Sequence, residues 1–374
     1  MPSSTAHLSQ TPHRLNRREF LTAAGAVAGA ASAAAALGSA RAWGAAASSL
    51  DQALDPVDPD IRYGITGSLW GDWVDGNLRM WTDMSKIAAD IARVGLQGFE
   101  PYGGQVGTYV ANPLSLRKVC NDAGIALIDV GDLPPAWRPA PHDAVARPAG
   151  ASRPSPWIDR EGNAELIARM VSFARDFLAP CGCDHWKTNM GSRPEGGPSE
   201  DQLKRLADTL NEIGRQTIAY GVRLAPHPHI WGPMEREHEV RTVMALTDPK
   251  YVWLTTDTGH LTLGGMDAVK IIGDYFPRIA EVHLKDTFPR YRGNKSTPTR
   301  AEFRKASVYH DLGSGGVDFP AVMRVIRGRH FKGWVALDLD APRPNDGTGS
   351  IDDNLADNIR YLRDRLHVRL PKPA

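Results

Sequence analysis

The sequence predicts a (β/α)8 TIM barrel, an α/β fold in which eight parallel strands close into a cylinder inside a ring of helices. Three observations predict it. Beyond Asp60, short β-branched or apolar runs alternate with longer amphipathic stretches. The runs number eight, the strand count of this barrel. The polar, metal-competent residues gather at the C-terminal ends of those runs, the face on which barrel active sites lie. A doubly wound open sheet would normally carry a Gly-rich phosphate turn after its first strand. "GITGSLWGD" (64–72) has the glycines without that spacing.

In chain order, residues 1–42 stand apart. They hold the paired arginines Arg17 and Arg18, a run of small apolar residues, and Ala40-Arg41-Ala42 as a small-x-small cleavage site. This is the layout of a secretory signal, and the twin arginines point to the Tat export route and a periplasmic or secreted destination. The middle of the segment is only weakly apolar, which favours a removable signal over a stable membrane anchor. Residues 43–60, rich in Ala, Ser, Asp and Pro, read as a linker, and the barrel is expected over 61–370.

The expected strands are "IRYGIT" (61–66), "GFEPY" (98–102), "IALIDV" (125–130), "DHWKTN" (184–189), "VRLAPH" (222–227), "YVWLTTD" (251–257), "IAEVHLKD" (279–286) and "GWVALDLD" (333–340). Helices are expected between them. Over 78–94, Leu78, Trp81, Met84, Ile87, Ala88, Ile91 and Val94 recur at three- and four-residue spacing and form one apolar face. Residues 165–179, 200–220, 235–247, 266–276, 318–328 and 350–366 read similarly. Two extended βα loops, 131–163 after strand 3 and 287–317 after strand 7, leave the C-terminal face and are read as lids over a site. The second carries Arg290, Arg292, Lys295, Arg300, Arg304 and Lys305.

Net charge of +1 gives no general case for a nucleic-acid or membrane-surface partner. Cys120, Cys181 and Cys183 make no disulfide framework and read as packing residues.

The candidate site residues sit at strand ends: Glu100 on strand 2, His227 and His229 on strand 5, Asp257 and His260 on strand 6. His283, Lys285 and Asp286 end strand 7, and Asp338 and Asp340 end strand 8. Any one alone has an ordinary reading: Asp257 can cap the next helix, and Lys285 can pair with Asp286. Coincidence across strands 5 to 8 argues instead for one divalent metal ion held by imidazole and carboxylate, a set suited to Mn, Co or Zn.

These residues also carry a resemblance. "TTDTGHL", "EVHLKD", "LGSGGVDFPAVM" and "GWVALDLD", with "YGITGSLWGD" and "GFEPY", resemble the xylose isomerase-like family of sugar phosphate isomerases and epimerases, and within it the inosose dehydratase-like branch. The likeness runs from about residue 61 to 366, with the motifs in order. It implies a TIM barrel with one divalent ion held after strands 5, 6, 7 and 8. Asp257 and His283 fit that ligand pattern directly. His227 stands at the strand-5 position and Asp338 at the strand-8 position, where the family usually has glutamates. Whether His227 or His229 supplies the strand-5 ligand is open at this point. The two-glutamate proton shuttle of the epimerases is not implied for such a chain.

An ion chelated by a carbonyl and a neighbouring hydroxyl acidifies the adjacent C–H and stabilises the enediolate. Proton return then gives epimerisation or isomerisation, and loss of a β-leaving group gives dehydration. Glu100, His229 and Asp338 are the acid/base candidates, and Lys285 the oxyanion partner. His260 is assigned to orienting Asp257, Asp286 and Asp340 to the surroundings of the ligands, and Trp70, Trp73 and Trp186 to stacking on a sugar. The expected protein is a periplasmic isomerase/epimerase-type enzyme acting on a non-phosphorylated keto-sugar, cyclitol or glycoside. A lyase or dehydratase acting on an inosose or 3-keto-glycoside is the near alternative, and a catalytically inactive sugar-binding barrel the alternative from another class.

Overall fold

The computed structural model describes residues 58–75, 77–138, 155–343 and 349–371. The expected signal (1–42), nearly all of the linker and the middle of the 131–163 loop lie outside the described residues. The eight expected barrel strands are all present: β1 Ile61–Thr66, β2 Gly98–Glu100, β3 Ala126–Leu127, β4 His185–Thr188, β5 Arg223–Pro226, β6 Leu254–Asp257, β7 Ile279–Leu284 and β8 Gly333–Leu337. A parallel ladder joins six of them in the order β3-β2-β1-β8-β7-β6. β4 and β5 form a second parallel pair, with His185 opposite Arg223 and Thr188 opposite Pro226. A bridge from Leu224 to Val252, with the Trp253 N–H donating to the Leu224 carbonyl at 2.8 Å, ties β5 to the run into β6.

No backbone ladder joins β3 to β4 among the described residues. Side chains close that seam. The Asp129 carboxylate accepts the Lys187 main-chain N–H, and the Trp186 indole donates to the Val130 carbonyl at 2.8 Å. The barrel wall is therefore continuous, but at one joint it is fastened by side chains.

The helices form where the apolar spacing placed them, with one correction. Residues 78–80, expected to open a helix, belong instead to a strand, Asn77–Met80, paired antiparallel with 71–74, Asp72 opposite Arg79 and Trp73 opposite Leu78. The helix begins at Met84, because the Asp83 side chain caps it by accepting the Lys86 N–H at 3.0 Å. Met84, Ile87, Ala88 and Ile91 then face the core. Leu78 and Trp81 keep the helical spacing by coincidence: the hairpin alternates sides every second residue, and Leu78 is shared by both patterns. The loop after β7 is not structureless. It contains a short helix, Arg300–Lys305, capped by Thr299, and its end returns as Tyr309–His310 antiparallel to Asp286–Thr287.

The core lies mainly between the strands and the helices, where Ile65, Phe99, Val282 and Val335 are fully buried. Inside the barrel the lower end is apolar. A Cβ on Gly98 would come within 2.5 Å of the Trp334 ring, and one on Gly64 within 2.4 Å of Ile128 Cδ1. The two glycines make room for Trp334 and Ile128 to plug the cylinder. Above that plug the interior is charged. No helix among the described residues is long and apolar enough to cross a membrane.

Candidate active site

At the C-terminal mouth, His227, Asp257 and His283 converge, all buried. His227 follows β5 in ladder register, its N–H on the Thr188 carbonyl at 3.0 Å. Its Nδ1 lies 3.0 Å from Asn189 Oδ1, which fixes the proton there and leaves the Nε2 lone pair free. That Nε2 is 3.8 Å from Asp257 Oδ2. Asp257 ends β6 and does cap the next helix, but only with Oδ1, which accepts the His260 N–H at 2.7 Å. His283 turns Nδ1 towards Asp257 Oδ2 at 3.8 Å and Asp338 Oδ2 at 3.7 Å. His227 Nε2, Asp257 Oδ2 and His283 Nδ1 are buried without hydrogen-bond partners. Buried polar atoms are rarely left in that condition.

These atoms fit a divalent ion. Metal bonds of about 2.0–2.2 Å set neighbouring ligand atoms ~3–3.5 Å apart. A contraction of a few tenths of an ångström would bring the two 3.8 Å spacings to Asp257 Oδ2 to that of a coordination shell. Burial, aided by Lys187, holds His227 well below the usual imidazole range, so it stands neutral, as a ligand must. Burial and the nearby Asp338 push Asp257 up to about 7. Burial would lower the basicity of His283, but Glu100 and Glu281 hold it well above normal. The carboxylates thus call for a positive charge at this point, which a proton or a cation can supply.

Behind His283 lies a charged interior that the strand-end reading missed. Its Nε2 is 2.9 Å from Glu100 Oε2 and 3.4 Å from Glu281 Oε2. Glu281 meets His185 Nε2 at 3.2 Å, and His185 Nδ1 meets Asp184 at 2.7 Å. Glu100 pairs with Lys187 Nζ at 2.9 Å. Glu100, expected as an acid/base group, is fully buried beneath the ligands and committed to Lys187 and His283. Its place is support of His283, away from substrate. The signal for Glu281 was present: it precedes His283 by two positions on one strand and so shares its face. His185 and Lys187 are related in the same way.

Beside this cluster, on the far side of His260 and Asp338, opens a pocket of ≈ 380 Å³. His229, His260, Lys285, Tyr309, Asp338 and Asp340 line its inner part. The His229 and His260 rings stack with centroids 3.6 Å apart, and His260 Nδ1 is 3.2 Å from the Tyr309 hydroxyl. Burial lowers His229 to about 4, and its Nδ1–H donates to the Ile230 carbonyl, leaving Nε2 as the basic atom. His227 is therefore the strand-5 residue of the ligand cluster, and His229 belongs to the pocket. Lys285 Nζ lies 2.8 Å from Asp340 Oδ1 and 3.3 Å from Asp338 Oδ1. Asp338 Oδ1 also accepts from Thr66 and Ser68 at 2.9 and 3.0 Å. A larger cavity of ≈ 940 Å³ runs beside β4 past Asn189; His227, Asp257 and His283 line neither cavity, but Asp338 and His260, which adjoin them, line only the smaller one.

Three expectations are corrected. Asp286 does not join the site. Its carboxylate accepts from the N–H groups of Thr287, Gly313, Gly315 and Val317 and so folds the glycine-rich segment after the β7 loop. Trp70 and Trp186 do not face substrate. Both are fully buried, with indole N–H groups on Asp90 and the Val130 carbonyl. Trp73, also expected to stack on sugar, does line the pocket, beside Trp231, Phe303 and Tyr102. Trp231 was missed, although it follows "HPHI" directly. Its φ of 64° is a left-handed conformation that a bulky side chain rarely adopts, held by a 2.6 Å bond from its N–H to Glu235 Oε2.

Comparison with known proteins places this geometry. Residues 88–365 match the family described as xylose isomerase-like TIM barrel. An inosose dehydratase of Clostridium botulinum (strain Alaska E43 / Type E3) is 29% identical over 145 residues, 38% of this chain and 48% of that protein. One from Salmonella typhimurium (strain LT2) is 30% identical over 154 residues, 40% and 49% respectively. The chain thus spans about half the length of the curated relatives it matches. Among solved structures, a sugar phosphate isomerase/epimerase from Parabacteroides distasonis superposes with a TM-score of 0.58 at 16% identity, covering 85% of this chain and 97% of that one.

Proposed function

The chain belongs to the xylose isomerase-like TIM barrel family, and on that premise we propose that it is a divalent-metal-dependent enzyme that enolises a non-phosphorylated keto-sugar, keto-cyclitol or keto-glycoside. The observation that carries the proposal is the convergence of the unpartnered His227 Nε2, Asp257 Oδ2 and His283 Nδ1, buried next to Asp338, whose Oδ2 lies 3.7 Å from His283 Nδ1 and which also lines the open pocket. A divalent ion held there would polarise the substrate carbonyl and stabilise negative charge on its oxygen. His229 Nε2 is the base for the adjacent C–H proton. Lys285, kept protonated by Asp338 and Asp340 against its burial, is the donor to oxygen.

Elimination of water suits this set better than epimerisation. A two-sided proton shuttle wants a mobile carboxylate on each face of the substrate. Here the strand-5 position is a neutral imidazole, and Asp338 is tied down by Thr66, Ser68 and Lys285. One base and one opposing acid remain, the minimum for removing a proton and a hydroxyl from neighbouring carbons. The similarity to inosose dehydratases supports the same outcome. Export by the Tat route is part of the proposal, supported by Arg17 and Arg18.

The test is metal content of the purified protein after loading with Mn²⁺, Co²⁺ or Zn²⁺, wild type beside Asp257→Ala and His283→Ala, followed by incubation with an inosose and a 3-keto-glucoside in D₂O. One ion per wild-type chain, lost in both variants, and loss of water from substrate are expected. Deuterium exchange without water loss would make the enzyme an isomerase or epimerase. Absence of metal uptake and of exchange would sink the reading and leave a carbohydrate-binding barrel.

A further inference from the structure

We infer that the non-phosphorylated carbohydrate bound here carries a carboxylate at the end remote from the reacting carbons. The inference rests on the functional reading above and adds a substrate class to it. The charges around the pocket fall into two sets. The inner set is balanced, Lys285 against Asp338 and Asp340. The outer set is not. Arg300 and Arg304 line the rim, both exposed, and neither has a carboxylate within ion-pair distance among the described residues. Exposed arginines without an ion pair occur elsewhere among the described residues, Arg290, Arg324 and Arg365 among them, but these do not line the pocket; Arg300 and Arg304 do.

Geometry directs the two unmatched charges inward. Arg300, Phe303 and Arg304 recur at three- and four-residue spacing on the helix Arg300–Lys305 and so share one face of it. Phe303 packs on Trp231 and Trp73 at ring centroid distances of 5.4 and 6.0 Å, which turns that face to the pocket. The Arg300 guanidinium sits 4.9 Å above the Trp231 ring, held against the pocket wall. The result is an aromatic wall suited to the C–H face of a sugar ring, with two guanidinium groups at its outer edge. Guanidinium groups bind planar and tetrahedral oxyanions through paired N–H donors, more strongly than neutral hydroxyls. At ≈ 380 Å³ the pocket is at the small end of ligand sites, matched to a single ring with one substituent.

The test compares three ketoses on one scaffold: D-fructose, D-fructuronate and D-fructose 6-phosphate. Each is titrated into the Mn²⁺-loaded protein by calorimetry, with tryptophan quenching as a second readout, at low and high salt. The double variant Arg300→Gln/Arg304→Gln is compared with wild type and with Arg292→Gln, which lies outside the pocket. D-Fructuronate should bind about tenfold tighter than fructose, the order expected for a charge-assisted hydrogen bond. Salt should erode that preference, and only the double variant should abolish it. A preference for fructose 6-phosphate over fructuronate overturns the carboxylate assignment. Equal binding of all three, or a preference that survives in the double variant, overturns the inference while leaving the enolisation reading intact. Failure of the wild type to bind any ketose overturns both.

Discussion

Replacing Lys187 with methionine removes one charge from the barrel interior while keeping much of the side chain's length and volume. Lys187 is fully buried, and its ammonium lies 2.9 Å from Glu100 Oε1 and 4.7 Å from the Tyr102 ring centroid. Burial works against its charge, yet Glu100 and its neighbours hold the ammonium well above its ordinary range. The substitution strands Glu100 in the interior, with Asp129 close by. Removing one partner of a buried pair costs about 3–5 kcal/mol, mostly through the uncompensated charge left behind. At roughly 2–4 °C per kcal/mol for domains of 150–250 residues, the thermal midpoint should fall by roughly 6–20 °C, towards the lower end for a domain of this size. A second substitution, Glu100→Gln, removes the stranded charge and should recover at least ~1 kcal/mol of the loss. The assay is circular dichroism melting of metal-free wild type, both single variants and the double variant, completed as a thermodynamic cycle. A loss below ~1 kcal/mol in Lys187→Met, or a double variant no better than the single, would refute the buried ion pair.

The interior also sets a pH dependence. Burial alone would lower His185, but its bonds to Asp184 and Glu281 raise it to about 10. A histidine raised in the folded state stabilises fully below its unfolded value near 6.5 and loses that contribution as pH rises towards 10, at about 1.4 kcal/mol for each tenfold gain in proton affinity on folding. The midpoint of the metal-free protein should therefore decline between pH 7 and 10, and the decline should flatten in His185→Gln; parallel curves would count against it. Asp286→Ala leaves four backbone N–H groups without their acceptor, at ~1 kcal/mol or more for any that stays buried and unpaired. Limited proteolysis should then cut near 311–317 while metal content stays at the wild-type level. Conversion of both Arg17 and Arg18 to lysine should hold the protein in the cytoplasm on cell fractionation, and unchanged export would remove the Tat assignment.

How much of this was legible in the sequence depended on where each residue sits along its strand. The strand ends were legible because a barrel brings every C-terminal end to one face. His227, Asp257, His283, Lys285, Asp338 and Asp340 were found by position alone. Residues one pleat lower were not, because Glu281 and Lys187 read as ordinary polar breaks in apolar runs, and only pairing across the cylinder reveals their partners. The start of the first helix was misplaced because three- and four-residue spacing extended by chance into a hairpin that ends at Met80, before the cap at Asp83. Trp70, Trp186 and Trp231 could not be sorted from composition: an indole facing a pocket and one packed in a wall differ only in backbone direction. The left-handed turn at Trp231 has no sequence signature comparable to a glycine.

The joint between β3 and β4 has a consequence for how the cylinder comes apart. The ladders elsewhere hold the wall by rows of repeated backbone bonds, and even the short β5–β6 joint is tied by backbone at Leu224. At this one, a carboxylate and an indole do the fastening, and both belong to residues whose neighbours are charged. A replacement at Asp129 therefore removes one of the two fastenings and leaves the joint to the Trp186 indole alone, as losing one pin loosens a hinge. Water would then reach Lys187 and Glu100 from the flank and dissolve the electrostatic balance under His283. Amide exchange in metal-free protein should accordingly be fastest along β4, and a bound ion, by tightening His227 against its neighbours, should slow exchange at a joint it never touches.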